Sequence, residues 1–130
     1  MITDSISDLI IRLKNGSRAG KSSVLVPYSA LTHSILEVLQ KEGFLKSFSK
    51  RGKKFVRNIE VELLYEEGRG KVTGVRRISK PSKRIYRKAR VIYPVRGGFG
   101  KMIISTPKGI VTDSSARKER IGGEVLFEIW

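Results

Sequence analysis

The 130-residue chain contains no cysteine and only one histidine. The lack of cysteine excludes disulfide bonds, thiolate metal sites and cysteine nucleophiles. His33 lies in a predicted helix, and one imidazole does not complete a zinc site. No apolar run approaches the roughly 18–20 residues that span a bilayer. Because the acidic residues are also scattered, we predict no catalytic residue, metal site, cofactor, small-molecule substrate or membrane partner.

Acidic residues are absent from one long segment that is rich in lysine and arginine. This basic stretch, Arg69–Lys101, carries twelve Lys and Arg residues and no Asp or Glu. Three aromatic residues, Tyr86, Tyr93 and Phe99, lie within it. Like charges at this density repel each other, so we expect a partner that supplies negative charge. Nucleic acid suits both the charges and the rings; the other interpretation is a solubilising surface that binds nothing.

The positive charge is distributed unevenly along the chain. The net charge is +15, from 27 basic and 12 acidic residues. Residues 1–64 have 11 basic and 6 acidic residues, and residues 65–130 have 16 and 6. The net charges of the two halves are therefore +5 and +10. We expect the second half to supply most of the attraction to a polyanion.

An amphipathic helix is the first predicted element. Its apolar stripe consists of Ile6, Leu9, Ile10 and Leu13, at helical spacing. Thr3 or Asp4 is predicted to cap the start of this helix, and Asn15-Gly16 to end it. A short strand is predicted next, over residues 22–26.

A second helix and two strands follow. The helix is predicted to start after a cap at Ser29 and to end at Gly43. Its predicted buried residues are Leu31, Ile35, Val38 and Leu39. Residues 44–49 and 54–65 are predicted to be antiparallel strands that are joined by a basic turn. The acidic and glycine-rich segment Glu66–Gly70 is the best candidate for a domain boundary.

The second half is predicted to be mainly β-structure. The predicted strands cover residues 71–78, the start of 84–92, 102–105 and 125–129. Asp113 is predicted to cap a short helix, 114–120, that Gly122-Gly123 ends. The sequence therefore predicts an α+β protein of two small domains. Residues 1–66 form an α-β-α-β-β unit, and residues 67–130 form an antiparallel sheet with one short helix.

Two segments of the second half could contact a ligand. Residues 96–101 resemble a phosphate-binding loop, but a strand follows where such a loop requires a helix, so we favour a structural loop. Ser105 and Thr106 end one strand, and Gly122–Glu124 follow the short helix. Hydroxyl groups and bare glycine backbone suit a close approach of sugars, phosphates or base edges. The alternative is structural: the hydroxyls close a turn and Gly122 ends the helix.

Motifs along the whole chain resemble those of one protein family. The most specific are Ser105–Gly109, Thr112-Asp113, Ala116-Arg117 and Gly122-Gly123-Glu124. Similar motifs precede them: Thr3-Asp4 with Ile6, Asp8, Leu9, Arg12 and Asn15; Val26-Pro27-Tyr28-Ser29; Glu42-Gly43-Phe44; and Arg77–Pro81 with Arg84 and Tyr86. Over essentially its whole length, the chain resembles bacterial small-subunit ribosomal protein number eight.

This resemblance implies an RNA-binding protein without a catalytic role. The implied partner is a helix with irregular, unpaired bases in the central domain of small-subunit (16S) ribosomal RNA. The implied role is structural, with a part in early assembly of the small subunit, and the implied location is the cytoplasmic ribosome. Neighbouring small-subunit ribosomal proteins are further implied partners. A messenger RNA that imitates the ribosomal site is another candidate partner.

The resemblance also implies which residues contact RNA. The ring of Tyr86 is expected to stack near an unpaired base, and Ser105 and Thr106 to reach bases and backbone. The remaining residues of the implied site are Gly122, Gly123 and Glu124, with lesser contacts from Arg12 and Asn15. Pro107 stands where serine is common in the family, so one hydroxyl and one N–H are missing there.

We therefore expect two groups of RNA-binding residues. Phosphate attraction is assigned to the basic stretch, including Arg84, together with Lys53, Lys54 and Lys108. Selectivity is assigned to the aromatic, hydroxyl and glycine residues Tyr86, Ser105, Thr106, Gly122 and Gly123, and to Glu124. The alternative function is non-specific nucleic-acid binding by a basic protein, which requires only the charge.

Overall fold

The computed structural model describes residues 4–95 and 98–130. The chain forms two compact units, Met1–Thr73 and Gly74–Trp130. Residues 65–70, next to the boundary suggested by the sequence, pair as a small hairpin, with β4 (Tyr65–Glu66) against β5 (Arg69–Gly70) in the first unit. The predicted α+β fold, with a C-terminal antiparallel sheet and a short helix, is confirmed.

The first unit contains two helices and a three-stranded antiparallel sheet. Its elements are α1 (Ser5–Arg18), β1 (Ser23–Pro27), α2 (Ala30–Lys41), β2 (Leu45–Arg51) and β3 (Asn58–Leu63). The sheet order is β1-β3-β2, so β3 is the central strand. Ile59, Val61 and Leu63 of β3 are buried and alternate with more exposed residues, as their period of two predicts.

Strand β3 starts later than the sequence predicts. The prediction placed its start at Lys54, whereas residues 52–57 form the connection between β2 and β3. Gly52 has φ +154°, and a Cβ there would lie 1.9 Å from the carbonyl oxygen of Phe55. The chain doubles back too tightly at Gly52 for strand pairing to begin before Asn58.

Helix α1 is longer than predicted. Asp4 caps its start by accepting a hydrogen bond from the backbone N of Ser7 at 3.2 Å; the other candidate cap, Thr3, lies outside the described residues. The prediction that Asn15-Gly16 ends the helix is wrong, because the helix continues to Arg18. Gly16 has a packing role instead, since a Cβ there would lie 2.5 Å from Cγ1 of Val24 in β1.

Helix α2 buries a stripe that differs from the predicted one. Its cap is Ser29, as predicted, whose hydroxyl oxygen accepts a hydrogen bond from the backbone N of Thr32 at 3.0 Å. The core-facing residues are Thr32, Ile35, Leu36 and Leu39, with Val38 half-buried. The prediction that Leu31 is buried is wrong. Leu31 is exposed, because the buried stripe of α2 begins one residue later, at Thr32.

The second unit is built around one long strand. Its elements are β6 (Val75–Arg77), β7 (Tyr86–Arg87), a 3₁₀ helix (Ala89–Val91), β8 (Lys101–Thr106), β9 (Gly109–Thr112), α3 (Asp113–Glu119) and β10 (Gly123–Ile129). The order β6-β10-β8-β9 places β10 inside the sheet, and β7 also pairs with β10. All of these pairs are antiparallel. Of the loop at residues 96–101, Arg96 and Gly97 lie outside the described residues.

Two predicted strands are short because they share one edge of β10. The strand predicted over residues 71–78 is only β6, which pairs with residues 127–129. The strand predicted to start at Arg84 is only β7, which pairs with residues 123–124. Because β10 has seven residues, neither partner can extend along its whole edge. Ile78, Ser79 and Ile85 still make backbone hydrogen bonds to residues 125–126, and the residues between Ser79 and Ile85 leave the edge of β10.

The cap of helix α3 also differs from the prediction. Thr112, and not Asp113, is the N-cap, and its hydroxyl oxygen accepts from the backbone N of Ser115 at 3.3 Å. Asp113 is instead buried, where it accepts from the backbone N of Met102 at 3.0 Å and from Arg117 at 2.9 Å. The helix ends at a left-handed Arg120 (φ +57°), so the prediction that Gly122-Gly123 ends it is wrong.

An apolar cluster lies between α3 and one face of this sheet. It consists of Ile92, Val95, Met102, Ile104, Ala116 and Val125. Ile104 and Val125 are paired on neighbouring strands and are fully buried. Since side chains alternate along a strand, the residues next to them point to the opposite face. Those neighbours include Ser105 and Glu124.

Candidate nucleic-acid interface

Three of the predicted contact residues form one row across the second sheet. Glu124 of β10 is paired with Tyr86 of β7 on one side and with Ser105 of β8 on the other. Directly paired residues of antiparallel strands place their side chains on the same face, with Cβ atoms roughly 4.5–5.5 Å apart. This contact row, Tyr86–Glu124–Ser105, joins residues that are up to 38 positions apart in the sequence, and it lies on the sheet face opposite α3.

The two ends of the contact row are open to a ligand. The Tyr86 side chain is 69% exposed, an unusual environment for so large an aromatic group. Ser105 is half-buried, and its hydroxyl makes no hydrogen bond within residues 4–95 and 98–130. A flat ring and a hydroxyl without a described partner therefore lie on either side of one carboxylate.

The carboxylate at the centre of the row holds its surroundings in place. Oε2 of Glu124 accepts a hydrogen bond from Ser79 Oγ at 2.5 Å and from Arg84 Nη1 at 3.1 Å. Ser79 is fully buried, and its Oγ also accepts from the backbone N of Ile85 at 3.1 Å. Glu124 thus fixes both ends of the loop that leads into β7 and orients the guanidinium of Arg84.

The electrostatic balance at Glu124 favours the charged form. Burial by itself would raise the pKa of this carboxyl group. The hydrogen bonds from Ser79 and Arg84, with the positive charges of Arg84 and Arg77, outweigh burial and lower the pKa below its ordinary value. Glu124 is therefore ionised at neutral pH and partly neutralises the cations beside the row.

Gly122 and Gly123 allow the strands to approach each other here. A Cβ on Gly122 would lie 2.5 Å from the carbonyl oxygen of Arg87, and one on Gly123 would lie 2.2 Å from that of Ser105. Both neighbours are backbone atoms, which cannot move aside cheaply. The glycine pair, which the sequence assigned to the site, thus positions β10 between β7 and β8.

Thr106 and Lys108 lie in the turn between β8 and β9. The Thr106 hydroxyl donates to the carbonyl oxygen of Gly109 at 2.8 Å and accepts from the backbone N of Lys108 at 3.1 Å. Its hydrogen-bonding capacity is therefore used largely within the turn, as the structural alternative expected. The Lys108 side chain is exposed and has no ion-pair partner among the described residues.

The other predicted contacts belong to two places in the first unit. Arg12 of α1 is held by Asp8, with both oxygens 3.0 Å from Nε, and also donates to the carbonyl oxygen of Leu25 at 3.0 Å. Arg12 and Asn15 line a groove between α1 and β1. The other place is the exposed β2–β3 connection, which carries Lys53 and Lys54.

Neither a membrane-spanning helix nor a metal site emerges from the described residues. None of the helices within 4–95 and 98–130 has the length and apolar character needed to cross a bilayer. The same residues contain no group of three His, Cys, Asp or Glu side chains placed to hold a metal ion.

Comparison with known proteins assigns the family. A family model described as "Ribosomal protein S8" matches residues 4–130, nearly the whole chain. The chain belongs to the ribosomal protein S8 family. The resemblance that the sequence motifs indicated is thereby confirmed. Members of this family are structural ribosomal proteins and not enzymes, and membership supports a structural role in the small subunit.

Individual relatives agree with the family assignment. The chain is 44% identical over 129 residues to the small ribosomal subunit protein uS8 of Mycoplasmopsis agalactiae, which covers 99% of this chain and 98% of the relative. It is 41% identical to the protein of the same name from Rhizorhabdus wittichii and 42% identical to that from Erythrobacter litoralis, with the same coverage. The match to these ribosomal protein S8 relatives is therefore not confined to one domain.

Sequence reasoning missed one residue that organises the interface. Sequence analysis gives Ser79 no contact role beyond its place in the motif Arg77–Pro81, whereas its buried hydroxyl connects Glu124 to the backbone of Ile85. Ser79 and Glu124 are 45 residues apart. No local sequence pattern indicates such a contact. Once β7 pairs with β10, however, the buried hydroxyl of Ser79 needs a hydrogen-bond partner, and Glu124 is within reach.

Proposed function

We propose that this ribosomal protein S8 family member binds a helix with unpaired bases in the central domain of 16S ribosomal RNA and helps to assemble the small subunit. The observation that carries the proposal is the contact row, in which exposed Tyr86 and the Ser105 hydroxyl lie on either side of Glu124. Family membership supports the ribosomal partner and the cytoplasmic, ribosome-bound location.

The chemistry of the contact row suits an irregular RNA segment. An A-form helix hides its base edges in a deep and narrow groove, so selective proteins bind bases that are unpaired. An exposed tyrosine ring offers such a base a stacking surface worth about 1–3 kcal/mol. A hydroxyl close by can donate to, or accept from, a base edge or a 2′-hydroxyl. Tyr86 and Ser105 supply these two functions in the proposal.

Glu124 acts chiefly by positioning its neighbours. An unpaired carboxylate beside phosphates would repel them, but Oε2 already binds Ser79 and Arg84. Arg84 is about half exposed, so its guanidinium can meet a phosphate while it remains held by Glu124. Gly122 and Gly123 let the neighbouring backbone of Arg87 and Ser105 approach β10 closely, which keeps the row assembled.

Long-range attraction is assigned to the cations of the basic stretch and of three further lysines. The basic stretch and Lys108 supply positive charge near the row, and each phosphate that they neutralise releases counterions. Lys53 and Lys54 add charge on the first unit, while Arg12 and Asn15 offer a smaller contact on α1. Neighbouring small-subunit proteins are further proposed partners. A messenger with the same irregular segment would bind to the same row.

A pair of serine variants tests the proposal. The probes are an RNA hairpin from the central domain of 16S ribosomal RNA, with its unpaired bases, and the same hairpin made fully complementary. Ser105→Ala should lower the preference for the irregular hairpin about fivefold, since one hydrogen bond contributes about 1 kcal/mol. Ser82→Ala, at an exposed serine outside the row, should leave the preference unchanged.

The alternative function is non-specific binding to nucleic acid, which the net charge of +15 favours. It predicts that wild-type protein binds the two hairpins equally at moderate salt. Equal binding would contradict the proposed recognition of unpaired bases. A clear preference that survives in Ser82→Ala and falls in Ser105→Ala would support it.

A further inference from the structure

A second cationic surface lies in the second unit, next to the contact row. It is a groove of about 480 Å³, lined by Lys88, Ala89, Arg90, Arg117 and Arg120. The 3₁₀ helix that carries Ala89 and Arg90 packs on α3, which carries Arg117. We propose that this basic groove binds the phosphodiester backbone of the regular RNA duplex that flanks the irregular segment. This inference rests on the proposed function and extends it by a second RNA contact.

Most of the positive charge in the basic groove is not neutralised by the protein. Lys88, Arg90 and Arg120 have no carboxylate partner within residues 4–95 and 98–130. Only Arg117 is paired, through Asp113 at 2.9 Å. Like charges gathered in one groove repel each other, and a polyanion relieves that repulsion. The arrangement is therefore suited to a ligand with several negative charges in series.

Helix electrostatics account for only part of this charge, since Lys88 precedes the 3₁₀ helix while Arg90 and Arg120 lie near helix C-termini. Basic residues near a helix C-terminus are favourable, which explains Arg117 and Lys118 on α3. Lys88 and Arg90 are on a different element, and α3 has only seven residues. Arg120 occupies a left-handed position (φ +57°) where glycine is the usual residue. An arginine there places a cation in the groove at a position that favours a smaller residue.

The groove contacts backbone and not bases. Its lining has four cations and one alanine, and it includes no amide, hydroxyl or aromatic group that could discriminate between bases. Cations without such groups bind phosphates irrespective of sequence. Regular A-form duplex, whose base edges are inaccessible, is the RNA element that such a surface fits.

The position of the groove explains why the flanking duplex is the ligand. Lys88 follows Tyr86 by two residues, and Gly122 follows Arg120 by two residues. Two residues of extended chain cover roughly 7 Å. A Cβ on Gly122 would lie 2.9 Å from Cα of Lys88, so the start of β10 touches the rim of the groove. RNA that presents unpaired bases to the row would pass the start of β10, at the edge of the sheet, to reach the groove on the α3 side.

A charge-neutralised variant tests this inference. Arg90→Gln with Arg120→Asn removes two unpaired cations, and asparagine tolerates the left-handed conformation at residue 120. The matched control is Lys41→Gln with Lys118→Gln, which removes the same charge at exposed positions outside the groove. Circular dichroism melting is expected to show that both variants fold.

The probes are the irregular hairpin with about four base pairs on each side of its unpaired bases, and the same hairpin with about ten. For the long hairpin, the groove variant should bind about tenfold more weakly at 0.1 M salt than the control. Its plot of log K against log salt should be shallower by about 0.9 for each lost phosphate contact. For the short hairpin, the two variants should bind equally.

The outcomes separate the two proposals. Equal affinities and equal salt slopes of the two variants on the long hairpin would overturn the proposal that the groove binds RNA. An acidic protein segment would then be the candidate ligand of the groove. The proposed function is judged separately, from the preference of wild-type protein for irregular over fully paired RNA. Without that preference, a selective loss by the groove variant on long RNA would still support a backbone-binding groove.

Discussion

The two units differ in how they treat their positive charges. Residues 1–73 carry 13 basic and 8 acidic residues, a net charge of +5. Residues 74–130 carry 14 and 4, a net charge of +10. In the first unit, acids lie beside the cations, as in the pairs Arg12–Asp8, Lys46–Glu62, Arg51–Glu60 and Lys71–Glu66. The second unit has too few acids for such pairing.

Two of the four acids of the second unit are placed where they organise structure. Asp113 is buried at the start of α3, and Glu124 lies at the centre of the contact row. Both are more enclosed than the acids of the first-unit pairs. The first unit thus pairs several of its surface cations with acids, while the second leaves most of its surface cations available and uses Asp113 and Glu124 to position strands and loops. That difference makes the second unit the better surface for a polyanion.

The largest expected effect contrasts two Asp–Arg pairs at helical spacing. Asp113→Ala should lower the free energy of unfolding of the second unit by about 3 kcal/mol, because it leaves a buried N–H and Arg117 without their acceptor. Asp8→Ala breaks an exposed pair and should cost about 0.5 kcal/mol or less.

Urea titration measures both variants. Trp130 is the only tryptophan and lies in the second unit, so its fluorescence follows that unit, while circular dichroism follows the whole chain. Comparable losses for the two aspartates would contradict the contrast between a buried and an exposed pair.

The next effect contrasts exposed aromatic residues of the two units. Tyr86→Ala should weaken binding of the irregular hairpin by about 1–3 kcal/mol, since its ring has no stacking partner among the described residues. Phe55→Ala should change binding little, because the Arg57 guanidinium already lies 4.5 Å from the centre of the Phe55 ring.

Calorimetric titration with the hairpin measures these affinities. Tyr93→Ala is the matched control, since Tyr93 is a similarly exposed tyrosine of the basic stretch outside the row. A loss for Tyr93→Ala as large as that for Tyr86→Ala would show that the rings act without regard to position.

A smaller effect concerns two glutamates whose pKa values are both lowered. The pKa of Glu66, an exposed group, is lowered by its hydrogen bond and its ion pair with Lys71. That of Glu124 is raised by burial and lowered more strongly by Ser79 and Arg84. Because salt screens exposed charges most, 1 M salt should return the pKa of Glu66 to its ordinary range and leave that of Glu124 lowered. Carboxyl NMR titration measures both.

The stability contribution of Glu124 follows from the sign of this shift. Its pKa is lower in the folded state than in the unfolded chain, so its contribution is fully present above the ordinary value of 4.5 and is lost as pH falls through the folded pKa. Glu124→Gln should therefore be less stable than wild type by about 1 kcal/mol at neutral pH. The difference should vanish in acid; a difference that persists there would point to packing and not to charge.

The smallest expected effect contrasts a cation of each unit. Lys108→Ala should make the salt dependence of RNA binding shallower by about 0.9, the value for one phosphate contact. Lys46→Ala should leave it unchanged, since Lys46 pairs with Glu62 at 3.9 Å. Filter binding between about 0.05 and 0.2 M salt measures the slopes. Equal slopes for both variants and wild type would remove Lys108 from the interface.

Much of the fold was predictable because its signals are local. The stripe of α1, the cap of α2 at Ser29 and the alternation in β3 depend on neighbours within a few residues, and each appears in the structure. Errors arose where a distant partner decides. The sequence predicts that helix α1 ends at Gly16. In the structure, the missing side chain of Gly16 instead leaves room for close packing of Val24. Aspartate is a residue type that often caps helices. Asp113 is instead buried, where it accepts hydrogen bonds from the backbone N of Met102 and from Arg117.

The candidate site divides in the same way. The sequence alone indicated residue types suited to RNA binding, namely hydroxyl residues, glycines and an aromatic residue within the basic stretch. Their assembly into one row was not, because strand pairing brings Tyr86, Ser105 and Glu124 together from three separate segments. The same pairing gives Ser79 its role and forms the groove between the 3₁₀ helix and α3.

The sequence by itself determined the charge of this protein, its lack of thiol chemistry and its family, since these depend only on which residues are present and in what order. The tertiary structure decided which cations remain unpaired, which acid is buried and which side chains share a face. Those properties depend on contacts between distant segments, and such contacts exist only after β10 has joined its neighbours in the sheet.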